Sequence, residues 1–463
     1  MEQETQAQAA LNTHNKPPLT LWGQLLLSNF WFALNFQSGA FLAIVVAAQV
    51  LLFVPDSGKV LLFGALSAGG TIAGLLVQPV IGALSDHTQL LCGRRRPYIL
   101  LGTILTLIGM VLMAETTTLQ VFVLAFILVQ IATNGSTAAY QSLLPDRVPQ
   151  EQRGTASGYM GLMSIIGTFG SLAAASYLFS NVMPGPNESS EIQDGASAFY
   201  LLSGVLMLLT ALITVIGVSE DRPVDVPRES TSRANGQQPS RRAVWRSWLI
   251  QQWIAPLKHY NFRWVFLTRF SLMMGLWLFQ TFIEYYLDDV LHLTNFIEAT
   301  SILAGLALIG ALASAIGAGW LSDHIGRVKI VYIASGMMAL AASAFVIAPS
   351  AAILWPMAVT FGLGYGAYFS VDWALAVDTL PSLEAAGKDM GIWSIASNLP
   401  TVVAPVIGSG IIVGLSAFHS TALGYRLVFA VAALAFIIAT VFIVKVRVQQ
   451  HLPTARFSQA KDN

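Results

Sequence analysis

The chain has 463 residues, of which 55% are hydrophobic and only 10% charged, and its 24 basic and 24 acidic side chains cancel. Soluble domains carry about a quarter charged residues, so this composition excludes one and places most of the chain in lipid. A single cysteine, Cys92, excludes a disulfide framework and a cysteine-rich metal site, and neither a cofactor nor a nucleic-acid partner is expected.

Residues 1–19 are polar and lack the charged-then-apolar pattern of a cleaved signal, so they read as a cytoplasmic tail. Twelve apolar runs then follow, near 21–52, 60–84, 97–114, 119–140, 154–179, 198–218, 261–287, 300–321, 328–348, 351–376, 390–417 and 424–446. Each is roughly 18–30 residues, enough to cross a hydrocarbon core of about 30 Å with some tilt. None alternates as a barrel strand would, which predicts an all-α membrane protein with the bilayer as its solvent.

Lysine and arginine set the orientation. With the amino terminus inside, the inner loops receive Arg94, Arg95, Arg96, Arg147, Arg153, the arginines from Arg222 to Arg246, Lys258, Arg327, Lys329 and Lys388. The outer loops receive Lys59, and Arg426 at the edge of the last run. The positive-inside rule therefore predicts both termini in the cytoplasm of a multi-pass protein of the plasma membrane, or of the cytoplasmic membrane in a bacterium. The Asn187-Glu188-Ser189 sequon falls in an outer loop and matters only in a glycosylating compartment.

Between the sixth and seventh runs lies a stretch over 219–260 rich in Pro, Ser, Arg and Gln, which reads as a linker. Its part at 241–253 mixes arginine with Trp245, Trp248 and Trp253, and reads either as an interfacial helix or as an irregular basic loop. The linker separates a six-helix unit at 20–218 from a second at 261–447, followed by a tail at 448–463.

The two units share a phrase. Gly82-Ala83-Leu84-Ser85-Asp86 followed by Gly93-Arg94-Arg95-Arg96 returns as Gly319-Trp320-Leu321-Ser322-Asp323 followed by Gly326-Arg327-Val328-Lys329. Pro145-Asp146 with Arg153-Gly154 likewise returns as Leu380-Pro381 with Lys388 and Gly391, at an offset of ~235 residues. A duplicated membrane half is implied, with two six-helix bundles related by pseudo-symmetry.

This duplicated loop resembles the signature of the major facilitator superfamily, and the resemblance covers nearly the whole chain. It implies the major facilitator fold, alternating access, and a cavity lined by the first, fourth, seventh and tenth helices. Gly93-Arg94-Arg95-Arg96-Pro97-Tyr98 further resembles the sucrose-type and glycoside-pentoside-hexuronide branches, which mostly move sugars with protons or sodium. The run at 60–84 lacks the carboxylate of the sodium-using members, which argues against that ion. By the same resemblance Asp86, Arg94, Arg95, Arg96, Asp323 and Arg327 form a cytoplasmic gate that holds the outward-facing state closed. Solvated basic loops are the alternative. The arginine count makes the first loop the expected stronger latch.

Polar stripes fall where the resemblance requires. In the fourth run Gln130, Asn134, Thr137 and Gln141 share one helical face, in the seventh Arg269, Met273, Gln280 and Glu284, and in the tenth Tyr365, Tyr368 and Asp372. The first offers Asn35 and Ser38. Small-residue faces at Ser157, Gly161, Ser164 and Thr168, and at Ser394, Ser397, Asn398 and Thr401, suit helix contact better than substrate contact.

A charge in mid-membrane costs about 2.5–3.5 kcal/mol on insertion scales, which singles out Arg269, Glu284 and Asp372, with Arg269 and Asp372 as a proton-coupling pair and Glu284, near Asp288 and Asp289, as either a cavity or an interfacial carboxylate. A static pair that fixes helix register is the alternative. Asn35, Gln130, Asn134, Thr137, Gln280, Glu284, Tyr365, Tyr368 and Trp277 are the expected substrate contacts, since amides both donate and accept toward hydroxyls and rings supply stacking faces. Asp378, beside Pro381, reads as a helix-end or loop charge. The chain contains no phosphate-loop motif, no metal-spaced His/Cys cluster and no nucleophile motif, so no enzyme activity and no use of ATP are expected. The expected function is proton-coupled uptake of a small polar solute such as a sugar or glycoside, by a monomer. Proton-driven efflux of amphipathic compounds is the alternative, and a non-transporting sensor or scaffold a remote one.

Overall fold

A computed structural model describes residues 18–54, 56–88, 90, 93–180, 188–218, 254–293, 296–348, 350–382, 385–416 and 421–447. Cys92, the Asn187 position, the 241–253 segment and most of the tails and linker lie outside these residues. Among the described residues, twelve helices are long and apolar enough to span a membrane. They are α1 (Leu21–Phe53), α2 (Asp56–His87), α3 (Arg96–Glu115), α4 (Leu119–Gln141), α5 (Arg153–Leu178) and α6 (Glu188–Gly217). The second set is α7 (Tyr260–Asp289), α8 (Phe296–Ile325), α9 (Arg327–Ile347), α10 (Leu354–Asp378), α11 (Ala386–Asn398 and Pro400–Ser416) and α12 (Thr421–Val444).

Packing repeats between the halves. In the first, α1 packs on α5 and α6, α2 on α4, and α3 on α4 and α6. In the second, α7 packs on α11 and α12, α8 on α10, and α9 on α10 and α12. Shifting every helix number by six converts one set into the other, which is the pseudo-symmetry expected of the repeated sequence. The repeated phrase also folds alike in both copies. Gly93 (φ 106°) and Gly326 (φ 97°) take the left-handed conformation that turns the chain from α2 into α3 and from α8 into α9.

Large exposed apolar side chains run along the outer helices, including Leu101, Ile104 and Ile108 on α3, Leu201 and Ile216 on α6, Leu340 and Ile347 on α9, and Leu434, Ile437 and Val441 on α12. Such patches would drive a soluble protein to aggregate, and in a bilayer they are the lipid-facing surface. Each half has an aromatic interior. Phe279, Phe345, Phe361, Phe429 and Tyr286 stack and edge together in the second, and Phe41 with Phe126 and Phe30 with Tyr140 in the first.

Three features depart from the spans read off hydropathy. Helix α6 begins ten residues earlier than expected, because its polar first turns find partners, with Gln193 bonding the Ala114 carbonyl and receiving a 3.3 Å bond from Gln49. Helix α1 carries a π-helical turn at Phe41–Val46, entered where the Ala40 N–H donates to Ser171 Oγ at 2.9 Å. Helix α11 breaks at Leu399, because Pro400 has no N–H to continue the ladder.

Candidate functional site

Both signature aspartates reach across to the other half. Asp86, at the end of α2, accepts from the N–H groups of Gly387 (3.0 Å) and Lys388 (2.9 Å) in the first turn of α11. Asp323, at the end of α8, accepts from the N–H groups of Gly154 and Thr155 (both 2.8 Å) and from the Thr155 hydroxyl (2.9 Å) in the first turn of α5. A carboxylate at a helix amino terminus satisfies orphan donors and meets the positive end of the dipole.

Arginines complete the two clusters in different ways. Arg95 is fully buried and pairs with Asp86 at 2.6 Å and Asp146 at 3.1 Å, and Arg94 also pairs with Asp146. Burial opposes the Arg95 charge, but Asp146 and Asp86 outweigh it and hold its pKa above the ordinary guanidinium value. Arg96 donates instead to the Val218 carbonyl at 2.7 Å, tying α3 to the end of α6. In the second cluster Arg327 pairs with Asp323 at 3.1 Å and with Asp378, and Arg153 of the first half pairs with Asp378 at 2.9 Å. Asp378 is the last residue of α10, in keeping with the helix-end half of its helix-end-or-loop reading, but it is not a solvated charge. Its side chain is 2% exposed and held between guanidinium groups of both halves. The Arg95–Asp86, Arg95–Asp146 and Arg94–Asp146 pairs lie within the first half, and Arg153–Asp378 is an ion pair across the interface.

Deeper in the membrane, Arg269 of α7 and Asp372 of α10 form an ion pair with side chains 6% and 2% exposed. The Tyr368 hydroxyl donates to Asp372 at 2.7 Å, and Arg269 donates to Ser397 of α11 at 3.2 Å. The guanidinium lies 3.5 Å over the Trp393 ring and 5.7 Å from that of Trp373. Trp373 meets Trp31 of α1 edge-on at 4.9 Å. Two indoles thus flank the guanidinium, and the Trp31–Trp373 contact joins the two halves.

Trp31 also belongs to the wall of a cavity of about 390 Å³. Asn35, Gln37, Ser38 and Phe41 of α1, Ser67 and Thr71 of α2, and Gln130, Asn134 and Thr137 of α4 supply most of the lining, joined by Trp277 of α7 and Asn398 and Thr401 of α11. No lining side chain is ionisable. Gln78 of α2 donates to Asn134 Oδ1 at 2.7 Å, while Asn134 Nδ2 donates to the Gln130 carbonyl at 2.8 Å, which fixes the amide's orientation. The π turn of α1 starts at the cavity wall, and Asn398 and Thr401 flank the α11 break, so irregular backbone falls where it lines a cavity.

Of the expected substrate contacts, the structure collects Asn35, Gln130, Asn134, Thr137 and Trp277 on this wall. It leaves four outside. Gln280 and Glu284 are exposed and absent from the lining, because a helical stripe from Arg269 to Glu284 climbs about 22 Å and leaves the cavity layer. Tyr365 packs among Phe361 and Phe369, and Tyr368 is engaged with Asp372 outside the lining. The tenth helix thus supplies none of the lining residues. Sequence reasoning missed the contributions of α2 and of Asn398 and Thr401, since their small polar residues carry the same pattern as packing faces. The packing reading does hold elsewhere, with Gly161 against Phe369 and Ser370 and with Ser394 donating to Gln141 at 3.0 Å.

Comparison with known proteins agrees with this architecture. Residues 30–405 match the family model of the Major Facilitator Superfamily. The chain is 26% identical over 182 residues to the general alpha-glucoside permease of Schizosaccharomyces pombe, covering 35% of this chain and 31% of that protein. It is 27% identical over 194 residues to the sucrose transport protein SUC4 of Arabidopsis thaliana, covering 36% of each. The chain thus spans about a third of the length of the curated relatives it matches. Among solved structures, the fucose:proton symporter of E. coli superimposes with a TM-score of 0.70 at 12% identity, over 92% of this chain and 98% of that one. The human organic anion transporter MFSD10 gives 0.67 at 14% identity, over 91% and 98%. At such identities these two likenesses concern the fold. Family model, repeated loops and twelve-helix architecture together establish that this multi-pass membrane protein belongs to the Major Facilitator Superfamily.

Proposed function

We propose that the protein imports an uncharged, hydroxyl-rich solute such as a sugar or glycoside together with protons, by alternating access. The observation that carries this reading is the division between a cavity walled by amides, hydroxyls and rings without an ionisable group, and an acid–base pair buried outside its lining. Amides and hydroxyls match a polyol's donors and acceptors, and Trp31, Trp277 and Phe41 offer faces for the apolar side of a sugar ring. A charged solute would enter this cavity without a counter-charge and lose its hydration. The two plant and fungal relatives, named for sucrose and alpha-glucosides, support the same substrate class.

Asp372 is the proton-coupling carboxylate in this reading and Arg269 its conformation-dependent partner. The loops with Asp86, Arg94, Arg95, Arg96, Asp323 and Arg327 face the cytoplasm with both termini, which makes the present conformation outward-facing with a closed inner gate. Opening that gate separates Trp31 from Trp373 and admits water to the pair, so the carboxylate exchanges its proton with the inner side.

Counterflow in proteoliposomes over a panel of sugars and glycosides, with and without a pH gradient, tests both halves of the proposal. Asp372→Asn is expected to keep exchange of the substrate and to lose accumulation driven by the gradient. Accumulation by Asp372→Asn with an unchanged dependence on the gradient refutes the coupling role. Failure of every neutral polyol, with counterflow of an ionic or amphipathic compound instead, refutes the substrate class.

A further inference from the structure

We propose that the lipid-facing side of the second half holds a binding site for an anionic phospholipid, where α7, α9 and α12 end beside the second signature loop. Two structures meet there. The first is a ladder of cations and rings. Tyr260 lies between the guanidinium groups of Arg447 (5.5 Å) and Arg263 (5.8 Å), and Trp264 lies between Arg263 (5.5 Å) and the Lys445 ammonium (4.1 Å). Phe442 closes the row, 5.2 Å from Trp264 and 5.8 Å from Lys445. At the Arg447 end of this row the start of α7 is pinned to the chain leaving α12, since the Asn261 side chain exchanges 3.0 Å bonds with both the N–H and the carbonyl of Arg447.

The second structure is a groove of about 320 Å³ between the first turns of α9 and the last of α12, lined by Val328, Lys329, Tyr332, Ile333 and Val444. Tyr332, Ile333 and Val444 are 50%, 53% and 62% exposed, so the groove opens on the lipid. Val444, in its wall, directly precedes Lys445 of the ladder. Among the described residues, none of Arg263, Lys329, Lys445 and Arg447 has an ion-pair partner.

The chemistry of the occupant follows from this pairing. Four cations meet no described carboxylate, and three are held by ring faces that leave N–H groups free for an anion. An apolar groove beside them suits an acyl chain. A phosphodiester at the rim with its chain between α9 and α12 satisfies both, and basic sites between membrane helices on the cytoplasmic side are where anionic headgroups dock. The bilayer itself supplies the ligand. The inference is independent of what the protein transports.

The test uses the delipidated full-length protein in detergent, with binding of phosphatidylglycerol and phosphatidylcholine of identical chains followed by native mass spectrometry. Phosphatidylglycerol is expected to bind at least about tenfold more tightly, and each cation removed among Arg263→Gln, Lys445→Gln, Arg447→Gln and Lys329→Gln to weaken it by about fivefold. The charge-keeping pair Arg263→Lys and Arg447→Lys retains the preference and controls for folding. Val444→Trp fills the groove and weakens both lipids together. Equal binding of the two lipids by the native protein, an unchanged preference in the Gln variants, or displacement of phosphatidylglycerol by equimolar inorganic phosphate overturns the proposal, the last by showing a soluble-anion site.

Discussion

The interface between α2 and α11 gives a sharp prediction, because the helices touch backbone to backbone where the signature loop meets the other half. A Cβ added at Gly391 of α11 would sit 2.6 Å from Pro79 Cα and 2.7 Å from the Gln78 carbonyl carbon and oxygen of α2. Those are backbone atoms, so neither can turn aside as a side-chain tip would. Overpacking of this kind costs about 1–3 kcal/mol. The cost falls only on the conformation in which α2 and α11 touch, so Gly391→Ala shifts the equilibrium toward the opposite opening by about 5- to 150-fold. If the present conformation holds about nine-tenths of the molecules, a tenfold shift leaves it with about half. The assay is alkylation of Thr71→Cys, on the cavity wall, by a membrane-impermeant thiol reagent in a Cys92→Ser background. Labelling from the side opposite the signature loops should fall by about 30% or more in Gly391→Ala. Gly336→Ala is the control, because nothing lies within 4 Å of its Cβ position. A folded Gly391→Ala protein that labels at the native rate refutes the idea that this contact belongs to one conformation.

Three further outcomes follow from the same geometry. Asp378→Asn leaves Arg153 and Arg327 buried without their shared carboxylate, which costs about 3–5 kcal/mol in the conformation seen here, and both a lower melting temperature and slower Thr71→Cys labelling should register it. Asn134→Leu strips the Gln78 amide of its acceptor, a loss of about 1–3 kcal/mol, and should raise the KM for substrate by about 5- to 150-fold with little change in expression. Because the Arg95 pKa is raised, its contribution is fully present below the ordinary guanidinium value and disappears only as pH rises past the folded one. Arg95→Gln should therefore lower the melting temperature by the same amount at mildly acidic and mildly alkaline pH, and a difference that shrinks across the neutral range would contradict this.

How the candidate site was read from sequence varies residue by residue. Arg269 and Asp372 stood out because an ionisable group at membrane depth is costly wherever it points, so their identity alone marked them. Asn35, Gln130, Asn134 and Thr137 stood out because polar spacing of three and four places them on common faces. The same argument misplaced Gln280 and Glu284, since spacing states which residues share a face and not at what depth the face meets a cavity. Asp378 reads from sequence as a helix-end or loop charge without partners, because Arg153 and Arg327 come from two distant helices that only packing brings to it.

Sequence by itself determined the bilayer environment, the twelve spans and the duplication. In lipid every backbone group must be satisfied within its own helix, so hydropathy maps directly onto structure, and the repeated Gly-x-Leu-Ser-Asp phrase marks the same turn twice. Tertiary structure alone decided that each signature aspartate caps a helix of the opposite half, that the Arg269–Asp372 pair lies against Trp373 and Trp393 outside the cavity lining, and that α2 and α11 contribute to the cavity wall. These are contacts between helices up to about 300 residues apart in the chain, fixed by how two bundles pack, and no periodicity within one helix encodes them.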